Sequence, residues 1–292
     1  MNIRVDEFRV ERREEIDLDR RPTKVADLYR DKDDCRRRLA AHVDKMRDLQ
    51  SRLYADDRHA LLFIFQAMDA AGKDGAIKHV MSGLNPQGCR VHSFKHPSAE
   101  ELDHDFLWRS TRELPARGMI GIFNRSYYEE VLIVRVRPEI LNAQKLPAKD
   151  VGSPAFWRER FRSIRAFERH LGRNGTRIVK IFLHMSKEEQ RKRFLDRIDE
   201  PAKNWKFGSS DMSERGRFDD YMRAYEACFS ATSTASAPWF VVPADDKENA
   251  RLIVSQIVLD AMTALKPRYP EISEESRKSL ATARAKLLAE AP

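Results

Sequence analysis

Short segments rich in apolar residues recur along the chain, and the first of them is the most regular. Residues 60–65, Ala-Leu-Leu-Phe-Ile-Phe, form a continuous apolar run with aromatic and β-branched side chains, which is typical of a central strand covered on both faces. Four later segments predict further strands. They are residues 89–94, 119–123, 178–184 and 239–242.

Segments with helical spacing of apolar residues lie between these strands. Residues 73–84 are the first of them, and three later helices have recognisable N-terminal caps at Ser98, Ser153 and Ser186. Strands that alternate with helices predict an α/β fold with a five-stranded, parallel, doubly wound sheet. In such folds ligands bind beyond the carboxyl ends of the strands.

Three segments do not follow this alternation of strands and helices, and they divide the chain into regions. Residues 1–58 are dense in charge, with helical spacing over 25–53, and predict an N-terminal helical extension packed on the core. Residues 59–265 form the predicted core. Within it, residues 187–230 carry a basic and aromatic stretch between two helical runs, which predicts a lid over the active site. Residues 266–292 predict a C-terminal helix.

The net charge narrows the range of partners. Lys and Arg number 54 and Asp and Glu number 46, which leaves a net charge of +8. Such an excess is typical of proteins that meet phosphate-rich ligands: nucleotides, polyphosphate, nucleic acid or a membrane surface. The basic residues are scattered among acidic ones, and this pattern argues against nucleic acid.

Cysteine content and hydropathy indicate the compartment. Cys35, Cys89 and Cys228 are odd in number and widely spaced, which fits neither a disulfide framework nor a Cys-x-x-Cys metal site. We therefore expect a cytoplasmic protein. The N-terminus carries no apolar segment of signal-peptide length, and apolar runs of about 18 residues, as a membrane span requires, do not occur.

The turn after the first strand resembles a phosphate-binding loop. The template Gly-x-x-x-x-Gly-Lys-Ser/Thr is met as Ala67-Met-Asp-Ala-Ala-Gly72-Lys73-Asp74, so Ala67 replaces its first glycine and Asp74 its hydroxyl. The preceding strand and the helix that opens at Gly72 direct main-chain N–H groups and the helix dipole toward a phosphate. From this loop alone, an ordinary strand-to-helix turn is the alternative.

Asp69 changes the interpretation of this loop. A carboxylate there would repel phosphate unless a metal or a proton lay between them. We therefore expect Asp69 to hold Mg²⁺, with Mn²⁺ as an alternative metal, because Mg²⁺ accepts carboxylate oxygens and bridges phosphates. Such a site would compensate for the hydroxyl that Asp74 replaces.

A second polar motif follows the third strand. In Asn124-Arg-Ser-Tyr-Tyr-Glu-Glu130 polar side chains lie at the carboxyl end of a strand, beside the predicted loop. Arg125 is placed to grip a transferring phosphoryl group through two N–H groups. A surface arginine in a turn is the alternative.

Together these motifs resemble those of the second family of polyphosphate kinases. They occur in the family's order and cover about residues 60–255. The matching segments are Met68–Gly75, Asn85-Pro86, Phe123–Tyr128, Trp205–Phe207, Asp219–Tyr221, Ala237–Trp239 and Asp245–Lys247.

The resemblance implies a P-loop kinase, a three-layer sandwich with helices on both faces of the sheet and a helical lid. It implies that the terminal phosphoryl group of inorganic polyphosphate is transferred, with magnesium, to a nucleotide, and that ATP can react in reverse. ADP and AMP are the expected acceptors, and guanine nucleotides are further candidates. A homodimer or homotetramer is also implied.

The family's essential residues correspond to Asp69, Lys73 and Arg125. Relatives often have Asp where this chain has Asn124. The combination of Asn124 with Asp74 resembles the subgroup that accepts both AMP and ADP.

Further phosphate-binding or nucleotide-binding candidates extend from the two motifs to the lid, where a positive channel would suit polyphosphate. They are Ala70, Ala71, Gly72, Asp74, Gly75, Lys78, Asn124, Ser126, Tyr127, Arg193, Arg197, Lys203 and Lys206. Glu189 is placed to pair with Arg193, so an ion pair within the lid helix is an equal alternative. Trp205 and Phe207 are placed either to stack on a base or to anchor the lid.

Two other functions stay open at this stage. An ATP-dependent nucleotide kinase would use the same loop and lid. A basic nucleic-acid-binding protein with a vestigial P-loop would bind DNA or RNA in a salt-dependent way.

Overall fold

The strands of the computed structural model form one parallel sheet with the order β2-β3-β1-β4-β5. The structure describes residues 3–12, 14–147 and 150–290. All five predicted strands are confirmed. Their bounds are β1 Ala60–Ala67, β2 Cys89–Ser93, β3 Ile120–Asn124, β4 Thr176–His184 and β5 Trp239–Pro243.

Helices connect the strands and cover the sheet. Their bounds are α1 Lys32–Asp56, α2 Lys73–Met81, α3 Ala99–Asp103, α4 Trp108–Thr111, α5 Ile133–Val136, α6 Pro138–Asn142, α7 Pro154–Arg173, α8 Lys187–Asp199, α9 Ser209–Gly216, α10 Phe218–Thr232, α11 Lys247–Ala264 and α12 Glu274–Ala289. The serine caps predicted for α3, α7 and α8 are present, and each serine side chain accepts a main-chain N–H three residues on.

The sheet separates two hydrophobic cores, as expected for a doubly wound fold. Alternate side chains of β1 enter them: Phe63 points to the core that α1, α2 and α11 cover, and Ile64 points to the core that α7 and α10 cover. All eight residues of β1 are buried. The central strand is therefore covered on both faces, and the loop that follows it starts from a rigid base.

The N-terminal segment is less helical than its sequence suggests. Helical spacing predicts a helix over residues 25–53, but α1 begins only at Lys32, because the Asp31 side chain accepts the N–H of Asp34 and caps the helix there. The residues before it, which we call the N-terminal strap (3–12 and 14–31), are mostly extended, with short 3₁₀ turns.

The strap crosses from one core to the other. Val5 and Phe8 are buried in the core beneath α11, whereas Val10 and Leu18 are buried in the core beneath α10. The Val10 N–H donates to the Trp239 carbonyl over 2.9 Å. This packing makes the strap part of the fold.

The other chain end is exposed. Helix α12 has no buried residue, and Leu280, Leu287 and Leu288 lie open to solvent. Residues 1, 2, 13, 291 and 292 of the predicted terminal segments, together with 148 and 149, lie outside the described part of the chain. Within the described part, none of the helices has the length and apolar content that crossing a bilayer requires.

The segment over the cleft is shorter than the predicted lid of residues 187–230. Helix α10 buries Tyr221, Tyr225 and Phe229 in the core beneath the sheet and is therefore a core helix. The remaining part comprises α8, the 3₁₀ turn Pro201–Lys206 and α9.

Candidate active site

The loop between β1 and α2 has a constrained main chain. Ala70 and Gly72 both adopt the left-handed conformation, with φ of 67° and 97°. Glycine adopts this conformation freely, whereas the Cβ of Ala70 makes it a strained position that the surrounding contacts must hold. Gly72 caps α2, and the free N–H groups of the first helical turn face the cleft beyond β1.

Lys73 lies at the base of this loop. Its Nζ donates to the Ala67 carbonyl over 2.8 Å and is held close to the end of β1. Burial, and after it the nearby Arg125 guanidinium, lower the pKa of Lys73 to about 8, whereas Asp69 acts in the opposite direction.

Asp69 and Arg125 form an ion pair across the cleft. The distance from Arg125 Nη2 to Asp69 Oδ1 is 3.1 Å, and both side chains are partly exposed. Arg125 has a φ of 61°, and its N–H donates to the Phe65 carbonyl over 3.0 Å. A left-handed arginine at the end of a strand is uncommon and marks a constrained site.

Asn124 joins the two predicted motifs. Its Nδ2 donates to Asp74 Oδ1 over 2.6 Å, so the end of β3 is tied to the first turn of α2. An aspartate at position 124 would place two carboxylates together there.

Helix α8 fixes the outer side of the phosphate loop. Arg193 Nη1 donates to the carbonyls of Ala70 and Ala71, each over 3.1 Å, and the Gln190 amide donates to the Asp69 carbonyl over 3.1 Å. Because these carbonyls are held toward α8, the loop N–H groups are free to face the cleft.

These contacts correct the predicted role of Arg193. The side chain is 5% exposed and also pairs with Glu189 over 2.7 Å. The ion-pair alternative therefore holds, and Arg193 supports the loop instead of lining a channel for polyphosphate.

Ser126 and Tyr127 also differ from their predicted role as phosphate ligands. Both are fully buried. Ser126 Oγ accepts the Tyr128 N–H, and the Tyr127 hydroxyl donates to Glu168 over 2.9 Å. Tyr128 also donates to Glu168, which pairs with the buried Lys180. These residues form a rigid support beneath Arg125.

A cleft of about 490 Å³ brings most of the remaining candidates together. Asp69, Lys73, Asn124 and Arg125 lie at its base, with Arg197 and Lys206 above. Its lining consists of Asp69, Ala70, Ala71, Gly72, Lys73, Asp74, Gly75, Ser93, Phe94, Lys95, Asn124, Arg125, Arg197 and Lys206.

Two predicted lysines lie elsewhere. Lys78 is exposed on α2, outside the lining of the cleft, and Lys203 pairs with Glu200. Phe207 packs edge-on against Phe194, with ring centroids 5.6 Å apart, so it anchors the lid, whereas Trp205 is 79% exposed.

The sequence patterns missed Lys95 and Glu129. Lys95 follows the carboxyl end of β2, which lies beside β3 in the sheet. Glu129 is near Arg125 and Lys73, and burial raises its pKa. The strand order would have indicated Lys95. Glu129 lies within the second polar motif, but the sequence does not show that the turn Tyr127–Val131 brings its side chain near Lys73 and Arg125.

Comparisons with known proteins agree with this geometry. A family model described as Polyphosphate kinase 2 matches residues 29–270. The chain belongs to the polyphosphate kinase 2 family. An ADP-polyphosphate phosphotransferase of Rhodopseudomonas palustris is 60% identical over 99% of this chain and 100% of its own length. An AMP/ADP-polyphosphate phosphotransferase of Meiothermus ruber is 43% identical over 82% of this chain and 85% of its own.

The fold is that of the polyphosphate kinase 2 family as well. The crystal structure of a polyphosphate kinase 2 from Arthrobacter aurescens superposes with a TM-score of 0.84 and 39% identity, and covers 94% of this chain and 95% of that one. The predicted P-loop kinase fold, with a parallel sheet between layers of helices, is therefore confirmed.

The donor set of the cleft is compatible with Mg²⁺. Within the described residues no cluster of three or more His, Cys, Asp and Glu side chains could enclose a metal ion. Mg²⁺ usually keeps several waters and takes only one or two carboxylates together with substrate phosphates. Asp69 and Asp74, on either side of Lys73, can supply such carboxylates.

Proposed function

We propose that this member of the polyphosphate kinase 2 family transfers a phosphoryl group between inorganic polyphosphate and adenine nucleotides, with ADP and AMP as acceptors. The observation that supports this proposal is that Asp69, Lys73 and Arg125 all line one cleft. The names of the relatives from Rhodopseudomonas and Meiothermus support polyphosphate as donor and ADP or AMP as acceptor.

Phosphoryl transfer asks a protein chiefly for positioning and for stabilisation of charge. Lys73 and the loop N–H groups hold the reacting phosphates. Arg125 exchanges its pairing with Asp69 for the phosphoryl group in transfer. In this exchange one anionic partner of Arg125 is replaced by another, so the guanidinium stays paired.

Asp69 and Asp74 would hold Mg²⁺, whose charge would offset that of the bound phosphates. Freed from Arg125, the Asp69 carboxylate can turn toward the phosphates. Asn124 keeps Asp74 at the first turn of α2, so both carboxylates stay on the cleft side of the loop.

The donor chain requires a positive path out of the site. Arg197 and Lys206 lie above the cleft, and Lys95 lies at its side. Arg197 is held by the Lys206 carbonyl over 3.2 Å and by Asp211, 3.7 Å away. Arg197 and Lys206 thus keep their predicted place in this path and Lys95 joins them, whereas Arg193 and Lys203 are left out of it.

Replacing Asp69 and Lys73 tests the proposal. The protein is incubated with Mg²⁺, polyphosphate and AMP, ADP or GDP in separate reactions, and the nucleotide products are measured. We expect ATP from ADP, and a loss of about 100-fold or more in kcat/KM for both variants, because Lys73→Ala removes a cation at the reacting phosphates and Asp69→Asn removes the carboxylate proposed to hold Mg²⁺.

Asp44→Asn is the matched control, since Asp44 is exposed on α1, outside the cleft and the matching segments, and pairs with Arg47 three residues away. Parent-like rates in the folded Asp69 and Lys73 variants would refute the proposal. So would phosphorylation of AMP by ATP without any transfer from polyphosphate.

We infer in addition a homodimer or homotetramer in the cytoplasm. The resemblance to the family supports the assembly. Cys35, Cys89 and Cys228 are free thiols, which suits a reducing compartment. Analytical ultracentrifugation of the full chain measures the assembly, and a monomer at working concentration would contradict it.

A further inference from the structure

Helix α7 carries a line of arginines along its exposed face. Its members follow one another at spacings of four, three, four and four residues, so they lie on one side of the helix. All are exposed, and together they extend over about 22 Å at 1.5 Å per residue. We call this line the arginine stripe: Arg158, Arg162, Arg165, Arg169 and Arg173.

A cavity of about 700 Å³ lies against the stripe. Three stripe arginines line it, together with Arg12 of the strap and the hydroxyl-rich segment 230–236. Arg165 is held toward this segment, because its Nη1 donates to the Ala231 carbonyl over 2.9 Å. The lining found among the described residues is Arg12, Arg162, Arg165, Arg169, Ser230, Ala231, Ser233, Thr234, Ala235 and Ser236.

Most of this positive charge is not neutralised by the protein. Arg162 pairs with Glu159 over 3.0 Å, and both side chains are more than 60% exposed. Exposed pairs of this kind are weak and exchange readily. In the described part of the chain no carboxylate lies within 4.0 Å of the other stripe arginines or of Arg12.

The cavity lies toward the amino ends of the strands, and the active-site cleft lies at their carboxyl ends. The segment 230–236 leads toward the amino end of β5, and α7 leads into the amino end of β4. The phosphate loop and Arg125 follow the carboxyl ends of parallel strands. The two ends of β4, which has nine residues, are about 25 Å apart.

We infer that the arginine stripe and its cavity form a second binding site for inorganic polyphosphate, at which the distant part of a long donor chain is held while its end reacts in the cleft. This inference rests on the proposed function. Guanidinium groups and hydroxyls supply donors for phosphate oxygens. Single-stranded nucleic acid is disfavoured, because the described lining contains no aromatic side chain on which a base would stack.

Two sites on one chain of phosphates act together. Once one segment of the chain is bound, the other binds at a high effective concentration. Long-chain polyphosphate therefore binds with higher affinity, whereas tripolyphosphate is too short to reach both the cleft and the cavity.

The test compares Arg162→Ser/Arg169→Ser with Arg36→Ser/Arg52→Ser. The control removes the same charge from exposed arginines of α1, on the opposite face of the sheet. In the stripe variant we expect a KM for long-chain polyphosphate about 10-fold higher, with kcat and the KM for tripolyphosphate unchanged. The control variant should behave like the parent.

Direct titration with long-chain polyphosphate, without nucleotide, separates this inference from the proposed function. In a plot of log affinity against log salt concentration, the magnitude of the slope should be smaller by about two in the stripe variant, because two phosphate contacts are lost. If the parent binds polyphosphate in this way but makes no ATP, the proposed function fails and the second site stands.

Three results would overturn the second site. The first is equal affinity for long-chain polyphosphate in the stripe and control variants. The second is a stripe-dependent affinity for single-stranded RNA of equal charge that matches the affinity for polyphosphate. The third is a smaller assembly of the stripe variant alone in ultracentrifugation, which would make this face a contact between copies of the chain.

Discussion

Single side chains in the cleft carry charge in surroundings that are partly shielded from water. Burial lowers the pKa of Lys73 and raises the pKa of Glu129, and the two lie near each other and near Arg125. Arg125 has a raised pKa, first because of Glu129 and then because of Asp69. The charge state of the cleft therefore depends on groups from two different loops.

The pKa of Lys73 predicts an alkaline limb in the activity. Since Lys73 loses its proton as the pH rises through about 8, the charge that attracts phosphate disappears there. We expect kcat/KM for polyphosphate to fall above about pH 8. The kcat at saturation should fall only at higher pH, because bound phosphate stabilises the ammonium group. A pH profile of initial rates checks both, and a flat kcat/KM up to pH 10 would contradict the assignment.

The stability of the unliganded protein should change in the opposite direction. Between the folded value of about 8 and the ordinary value of 10.5, the unfolded lysine binds more protons than the folded one. Stability therefore rises with pH across this window on account of Lys73. Urea denaturation of the parent and of Lys73→Met between pH 7 and 10.5 isolates this contribution, and parallel curves would refute it.

The sequence identified some of the charged residues of the cleft and gave no sign of the role of others. Asp69, Lys73 and Arg125 follow apolar strands within recognisable motifs, so the pattern identified them. Arg193 was assigned to a channel because its helix position gave no sign of the carbonyls it meets, which belong to residues about 120 positions earlier in the chain. Glu129 was missed for the same physical reason: its neighbours are set by the tertiary fold.

Helix α8 acts on the phosphate loop as a single unit. Arg193 also donates to the carbonyls of Ala244 and Asp245, over 2.7 and 3.0 Å, so it joins the phosphate loop to the end of β5. Gln190 is in turn oriented by Arg215 of α9, which donates to its side-chain oxygen over 3.0 Å. The shape of the loop thus depends on elements that begin more than a hundred residues later in the sequence.

Arg193→Met should both destabilise the protein and impair phosphate binding. Four buried carbonyls lose a donor and Glu189 loses its partner, so we expect a loss of about 2–4 kcal/mol in the free energy of unfolding. The KM for polyphosphate should rise about 10-fold or more, because the loop N–H groups lose their fixed orientation.

Arg191→Met provides the comparison on the same helix, since Arg191 is exposed and pairs only with Glu188 three residues away. Urea denaturation and initial rates are measured for both variants. An equal effect of the two substitutions would exclude a specific role of Arg193.

Strands and helices were predicted best where apolar spacing and caps agreed. The five strands follow their predicted bounds closely, because local signals and tertiary packing favour the same structure. The error lies before Lys32. There, apolar residues at helical spacing pack individually into the core from an extended chain, and spacing alone does not distinguish the two arrangements.

The whole molecule is held together by contacts between distant parts of the chain. The strap passes the edge of the sheet at β5, where Arg9 bridges to Phe240 in an antiparallel arrangement. Ser233 Oγ donates to the Val10 carbonyl over 2.7 Å. Both cores therefore close only when the first 20 residues are in place.

Removal of residues 1–28 should prevent stable folding. Five buried apolar side chains of the strap would be lost, which corresponds to about 10 kcal/mol at 1.5–3 kcal/mol each, and domains of this kind are stable by only about 5–15 kcal/mol. The lost residues are Val5, Phe8, Val10, Ile16 and Leu18. We expect loss of the cooperative thermal transition in circular dichroism.

Removal of residues 273–292 is the contrasting truncation. It deletes α12, which has no buried residue, so Tm should change by no more than about 2 °C. A cooperative transition near the parent's Tm in the N-terminal truncation would show that the strap is dispensable.

The anchoring of α8 also limits how the protein can close over its substrates. Arg193 and Gln190 hold the helix to the loop and to the strand end, so a swing of the whole segment 187–216 would break buried hydrogen bonds at every turnover. Helix α9 is anchored as well, because Glu214 pairs with Arg137 and Arg215 donates to the Gln190 side chain over 3.0 Å. The turn between α8 and α9 is held to α8 by more exposed contacts, the packing of Phe207 on Phe194 and the bond from Arg197 to the Lys206 carbonyl. The hinge should therefore lie near Glu200 and Pro201, and only the tip that bears Lys206 would travel as substrates enter and leave.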